Sequence, residues 1–124
     1  MNVDITPLVR QEFMQLMDVT TVDQALRWVL RNSWRARKRE QHVMLMVVDA
    51  AADTLRDGSE FYRLEYHPEA SQASVLRGRM VTAAANRDQL TVDALVQVWA
   101  QWDRSLRRDV LVELVGTLIG GRLT

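Results

Sequence analysis

Six cations stand between positions 27 and 39 with no acid among them: Arg27, Arg31, Arg35, Arg37, Lys38 and Arg39. Their chemistry is electrostatic. A guanidinium is a permanent planar charge whose fork of donors matches the oxygens of a phosphate. On one continuous helix, Arg27, Arg31, Arg35 and Lys38 are spaced by four, four and three and form a single stripe, flanked by Trp28 and Trp34. Like charges at that spacing repel by about 0.2–0.5 kcal/mol per pair, a cost that an anionic partner removes. A second group, Arg104, Arg107 and Arg108, falls in the polar run 103–109. The pattern suits a phosphate clamp: arginine neutralises backbone charge, and aromatic or guanidinium planes stack on bases without sequence preference. Each such contact positions a strand and reads no base. The competing reading is a solvated face whose long arginine stems cover tryptophan.

Other chemistry is thin. The chain has no Gly-rich phosphate loop, no HExxH and no nucleophile elbow. It has no cysteine, which excludes disulfides and thiolate metal sites. His42 lies two helical turns from Asp49, too far to share a metal without a third ligand. His67 precedes Pro68 at a helix start, with no candidate nucleophile beside it. Asp49 and Asp53 share a helix face, as surface carboxylates often do. These residues lead to an expectation of no catalytic activity, no metal and no cofactor.

Sixteen basic residues balance sixteen acidic ones, so net charge steers nothing. The distribution is polarised. The stretch 40–69 holds seven acids against Arg56 and Arg63, and 70–87 holds Arg77, Arg79 and Arg87 without an acid. Only Lys38 among the bases is lysine. That bias suits phosphate recognition, and a GC-rich genome produces it too.

These residues must be positioned by helices. The 124 residues fit one all-α domain, residues 1–124, of about five helices packed as antiparallel hairpins around Val43 to Ala52. Thr6-Pro7 reads as a helix start, with Val9, Phe13, Leu16 and Met17 on one face. Thr21 opens a second helix, with Gln24 completing a capping box. Its buried stripe is predicted as Val22, Ala25, Leu26, Val29, Leu30 and Ser33. Trp34 to Arg39 is either continuous helix or a corner. A helix over 41–56 follows, buried except for His42, Asp49 and Asp53, and Asp57-Gly58 stops it.

Phe61 to His67 reads as an extended connection or one helical turn, and Pro68 restarts the helix, with Ala73, Leu76, Met80 and Ala84 inward. Leu90-Thr91 is predicted to cap the next helix, with Leu90 stapled onto Leu95. A polar corner over 103–109 then leads into a helix from Val110 to Ile119, ended by Gly120-Gly121. The triplets Thr21-Val22-Asp23 and Thr91-Val92-Asp93 open two helices alike, which suggests either a duplicated hairpin or one capping solution used twice. No apolar run approaches the ~18 residues that span a membrane. The N-terminus shows no secretory pattern, and the expected location is the cytoplasm.

Phe61-Tyr62-Arg63-Leu64 before a helix, and Leu95 to Trp102 followed by Asp103-Arg104-Ser105-Leu106-Arg107-Arg108 and Val110 to Val115, carry a further signal. About half of the chain resembles the small all-helical subunit of CRISPR RNA-guided effector complexes of the Cascade type. The resemblance implies a non-catalytic antiviral-defence subunit that stacks head to tail with its own kind, joins other subunits, and contacts RNA or single-stranded DNA through basic side chains. The chain is shorter than familiar members and its second helix more basic. The rival expectation is a helical protein–protein interaction or self-stacking module, including a phage-type inhibitor, without nucleic-acid binding.

Overall fold

The computed structural model describes residues 4–56 and 70–124. Among them the protein is all-helical, with six α-helices: α1 (Thr6–Met17), α2 (Val22–Ser33), α3 (Lys38–Leu55), α4 (Gln72–Ala85), α5 (Gln89–Gln101) and α6 (Arg104–Ile119). A 3-10 turn, Gly120–Arg122, follows α6. Six accords with the expected five or so, and the open alternative at 34–39 is decided as a corner between α2 and α3. The expected Asp57-Gly58 stop, the Phe61 to His67 connection and the Pro68 restart lie outside the described residues.

α3 is the central element, packed against α1, α4, α5 and α6, with a lighter contact to α2. Its Val43, Met44, Val47, Val48, Ala51 and Ala52 are buried, while His42, Asp49 and Asp53 stay exposed. The spacing 43, 44, 47, 48, 51, 52 is the period of a wide apolar helix face. Four buried alanines of α4, Ala73, Ala83, Ala84 and Ala85, join Leu76 and Met80 in the core. α6 adds Val110, Leu111, Leu114 and Val115. Neighbours in sequence pack together along α3, α4 and α5, whereas α2 lies chiefly on α6 and α1 on α3.

The helix starts show which sequence signals carried physical information. Thr21 is the N-cap of α2: its hydroxyl accepts from the Gln24 N–H at 3.1 Å, and the Gln24 side chain accepts from the Thr21 N–H at 3.3 Å. Ile5, rather than Thr6, occupies the N-cap of α1, and the Asp4 carboxylate accepts from the Thr6 N–H at 2.9 Å.

The cap of α5 is Asp88, whose carboxylate accepts from the Thr91 N–H at 3.3 Å. Thr91 therefore stands three residues inside the helix, and Leu90, 84% exposed, staples nothing. The likeness of Thr21-Val22-Asp23 to Thr91-Val92-Asp93 does not extend to their helical positions. Asp88 is available as a cap because α4 ends in a Schellman turn. Arg87 takes φ 61°, and the Asp88 N–H donates to Ala83 O at 2.9 Å.

α2 is rotated relative to its predicted stripe. Ala25, Trp28, Val29, Asn32 and Ser33 are buried, and Val22, Leu26 and Leu30 are about half exposed. Trp28 decides the rotation. Its indole buries more area than any leucine, and its Nε1–H donates to Glu12 O at 2.9 Å, so the indole N–H is satisfied.

If Asp88 is the cap, Asp88→Ala lowers unfolding free energy in urea by about 1 kcal/mol, as Thr21→Ala does, whereas Thr91→Ala costs below about 0.5 kcal/mol.

Candidate nucleic-acid interface

Two carboxylates organise the basic stretch. Glu12 on α1 and Glu40 on α3 are both buried. Glu12 Oε2 accepts from Arg31 Nη2 at 3.0 Å and from Asn32 Nδ2 at 2.8 Å. Glu40 Oε1 accepts from Arg37 Nε at 2.9 Å and from the Arg37 backbone N–H at 3.1 Å, closing the first turn of α3. Glu40 Oε2 accepts from Arg39 Nε at 2.8 Å, and Arg39 Nη1 stands 3.7 Å from Glu12 Oε1. Arg39 thus bridges the two acids and ties α1 to α3.

The expectation of six outward cations free of acids is corrected. Arg31, Arg37 and Arg39 are held by carboxylates of their own chain, and Arg27 pairs with Asp23 at 2.8 Å in solvent. The continuous stripe is corrected as well. α2 ends at Ser33, so Arg35 lies on the corner and Lys38 opens α3. Trp28 does not flank the stripe, because it is buried. Arg35 and Lys38 are exposed and have no carboxylate partner among the described residues.

The second arginine group is not a corner either: Arg104, Arg107 and Arg108 occupy the first turns of α6, behind the Asp103 N-cap. Arg107 is structural. Its guanidinium donates to Trp102 O at 2.6 Å, Trp34 O at 2.9 Å and Ser33 O at 3.2 Å. It therefore satisfies the terminal carbonyls of α2 and α5 together, where a cation also complements the helix dipoles. Arg104 Nε donates to Trp34 O at 3.3 Å, and its guanidinium carbon lies 3.3 Å from the centroid of the Trp34 ring. Arg108 pairs with its neighbour Asp109 at 3.1 Å.

The two arginine groups, some 70 residues apart in the chain, therefore meet at Trp34. Trp34 is 50% exposed. Arg104 lies against it, Arg35 follows it in the chain, and Lys38 opens α3 four residues on. The chemistry is that of a cationic, aromatic corner: it can hold an anion and stack a ring. His42 is exposed on α3, and His67 lies outside the described residues. Among the described residues no group of three His, Asp or Glu side chains is placed to hold a metal, and no helix is long and apolar enough to cross a membrane.

Glu12 is the residue that sequence reasoning missed. A signal was present: Val9, Glu12, Phe13 and Leu16 share one helix face, which puts an acid on the buried side of α1. Burial pushes the carboxyls of Glu12 and Glu40 up. Hydrogen bonds from Arg31 and Asn32 to Glu12, and from Arg37 and Arg39 to Glu40, outweigh it and hold both below the ordinary glutamate value of 4.5.

Among the described residues, the fold and surface define six helices with a cation-lined tryptophan corner. No protein-family model, curated protein or solved structure matches the chain.

Two outcomes follow from the buried carboxylates. Glu40→Ala costs about 2 kcal/mol in urea unfolding, since Glu40 is 1% exposed and two guanidinia lose their acceptor. The figure stays below the 3–5 kcal/mol of a fully buried pair because Arg37 remains in water. Both carboxyls are depressed on folding, so their contribution is complete above 4.5 and is lost as pH falls through the lowered folded values. The acid limb of a stability–pH curve is therefore shallower in Glu12→Gln and Glu40→Gln than in the wild type.

Proposed function

We propose that this protein is a non-catalytic subunit of a ribonucleoprotein effector complex, contacting the phosphate backbone of RNA or single-stranded DNA through the surface around Trp34. One observation carries the reading: the carbonyl of Trp34 accepts from both Arg104 and Arg107, so two cationic segments become one surface. Arg35, Lys38 and Arg104 are its principal phosphate contacts, and Arg27, Arg37 and Arg108 assist through exposed guanidinia. Arg31, Arg39 and Arg107 position the helices. Cations without carboxylate partners are those with most to gain from phosphate.

The resemblance to the small Cascade-type subunit belongs to this proposal, together with other subunits as partners, head-to-tail self-association and a cytoplasmic location. Of the segments that carry it, Leu95 to Trp102 and Val110 to Val115 fall on α5 and α6, and Phe61 to Leu64 lies outside the described residues. A second reading, a protein–protein interaction module, is favoured by the half-exposed row Val22, Leu26 and Leu30 on α2. Apolar side chains aligned at intervals of four on one surface helix form a strip that a partner helix can cover.

Salt dependence separates the two. Wild type is expected to bind a labelled single strand at about 50 mM salt, with affinity falling steeply as salt rises. Arg35→Ala/Lys38→Ala/Arg104→Ala flattens the log–log slope by about 2, the share of three phosphate contacts at ~0.7 each. Arg31→Ala/Arg39→Ala lowers stability and leaves the slope in place. Self-association without strand binding establishes the interaction module instead.

A further inference from the structure

We infer that Trp34, backed by Arg104, is a stacking platform for one unpaired base, which makes a single strand rather than a duplex the ligand of this surface. The inference rests on the phosphate-contact reading above and adds a residue that selects strand form. Two of the four tryptophans lie in the core and Trp102 is partly buried. Trp28 and Trp99 are buried, and each donates its indole N–H to a backbone carbonyl, Glu12 O at 2.9 Å and Arg107 O at 3.1 Å. Trp34 instead keeps half its surface in solvent at a helix end, where leaving an indole in water is unfavourable.

Its position is nevertheless well fixed. The Trp34 carbonyl is held by Arg104 and Arg107, and the Arg104 guanidinium lies 3.3 Å from the ring centroid. One ring face is therefore occupied by a cation, and the solvent-exposed half of the side chain offers the surface on which a base can stack. An aromatic ring already held in place loses little rotational freedom when a base stacks on it. A guanidinium on the far face adds cation–π attraction.

The neighbouring charges suit a strand passing over the ring. Arg35 follows Trp34 directly, and Lys38 opens α3 just beyond the corner. Both are exposed and lack carboxylate partners among the described residues, so the phosphates on either side of a stacked base have cations to meet. A duplex keeps its bases stacked on one another and shows only their edges along its length, so it can offer this corner phosphates but no ring face. Base–aromatic stacking tolerates any base, because every base has a π-face.

The test compares three probes of about a dozen units each: oligothymidylate, the same backbone carrying abasic residues, and a duplex. Binding of the full chain is read by fluorescence anisotropy at several salt concentrations. Wild type is expected to bind oligothymidylate roughly fivefold to a hundredfold more tightly than the abasic strand, the range of one stacked base. Trp34→Ala abolishes that preference and leaves the salt slope intact, while Trp34→Phe retains part of it. A circular-dichroism melt of both variants checks that the fold is kept. Equal wild-type binding of thymidylate and abasic strands, or an undiminished preference in Trp34→Ala, overturns the platform and leaves phosphate contact standing. Binding of none of the three probes overturns both. Loss of self-association in Trp34→Ala, with strand binding unchanged, assigns the ring to a protein partner instead.

Discussion

A carboxylate taken out of water must be met by charge, and much of this basic surface is arranged around that requirement. Glu12 and Glu40 are buried where α1, α2 and α3 come together. Arg31, Arg37 and Arg39 reach them from the run that reads as a bare cationic ridge. Isolated, each acid would cost several kcal/mol to bury. Compensated, the pair makes the approach of α1 to α3 specific. Arg31 and Arg39, held by these acids, and Arg107, held by carbonyls, tie helices together, whereas Arg35, Lys38 and Arg104 have no carboxylate partner among the described residues.

Helix ends impose the second constraint. The corner between α2 and α3 leaves carbonyls that a continuous helix would have satisfied. Arg107 meets Ser33 O and Trp34 O, and also Trp102 O at the end of α5. One side chain closes two helices and brings α6 against α2. Because Arg104 stands one turn earlier on α6, the same docking carries its guanidinium onto the Trp34 ring. The surface proposed to bind phosphate is thus a consequence of how carbonyls are satisfied, and its geometry is shared with the fold.

The legible parts of the sequence were those with a local cause. The Thr21–Gln24 box is closed within four residues, and the apolar period of Val43 to Ala52 marks a helix buried by its neighbours whatever their identity. The misreadings share a different cause. Thr91 looks like Thr21, yet Asp88 caps α5 because Arg87 turns the chain left-handed just before it. Leu26 and Leu30 look more apolar than Trp28 and Asn32. Trp28 and Asn32 are nevertheless buried, because Glu12, on another helix, offers a carbonyl to one and a carboxylate to the other.

Sequence alone determined the helical class, the central place of α3, the cap of α2 and the existence of two arginine groups, because periodicity and capping act over a few residues. Tertiary structure alone decided that Arg31 and Arg39 reach Glu12, that α2 stops before Trp34, and that the two groups meet there. The Glu12 pairs and the bonds from Arg107 to Ser33 O and Trp34 O are settled between helices far apart in the chain. A cation's freedom depends on the acids beside it, and the distance to an acid on another helix is not encoded by its neighbours in the chain.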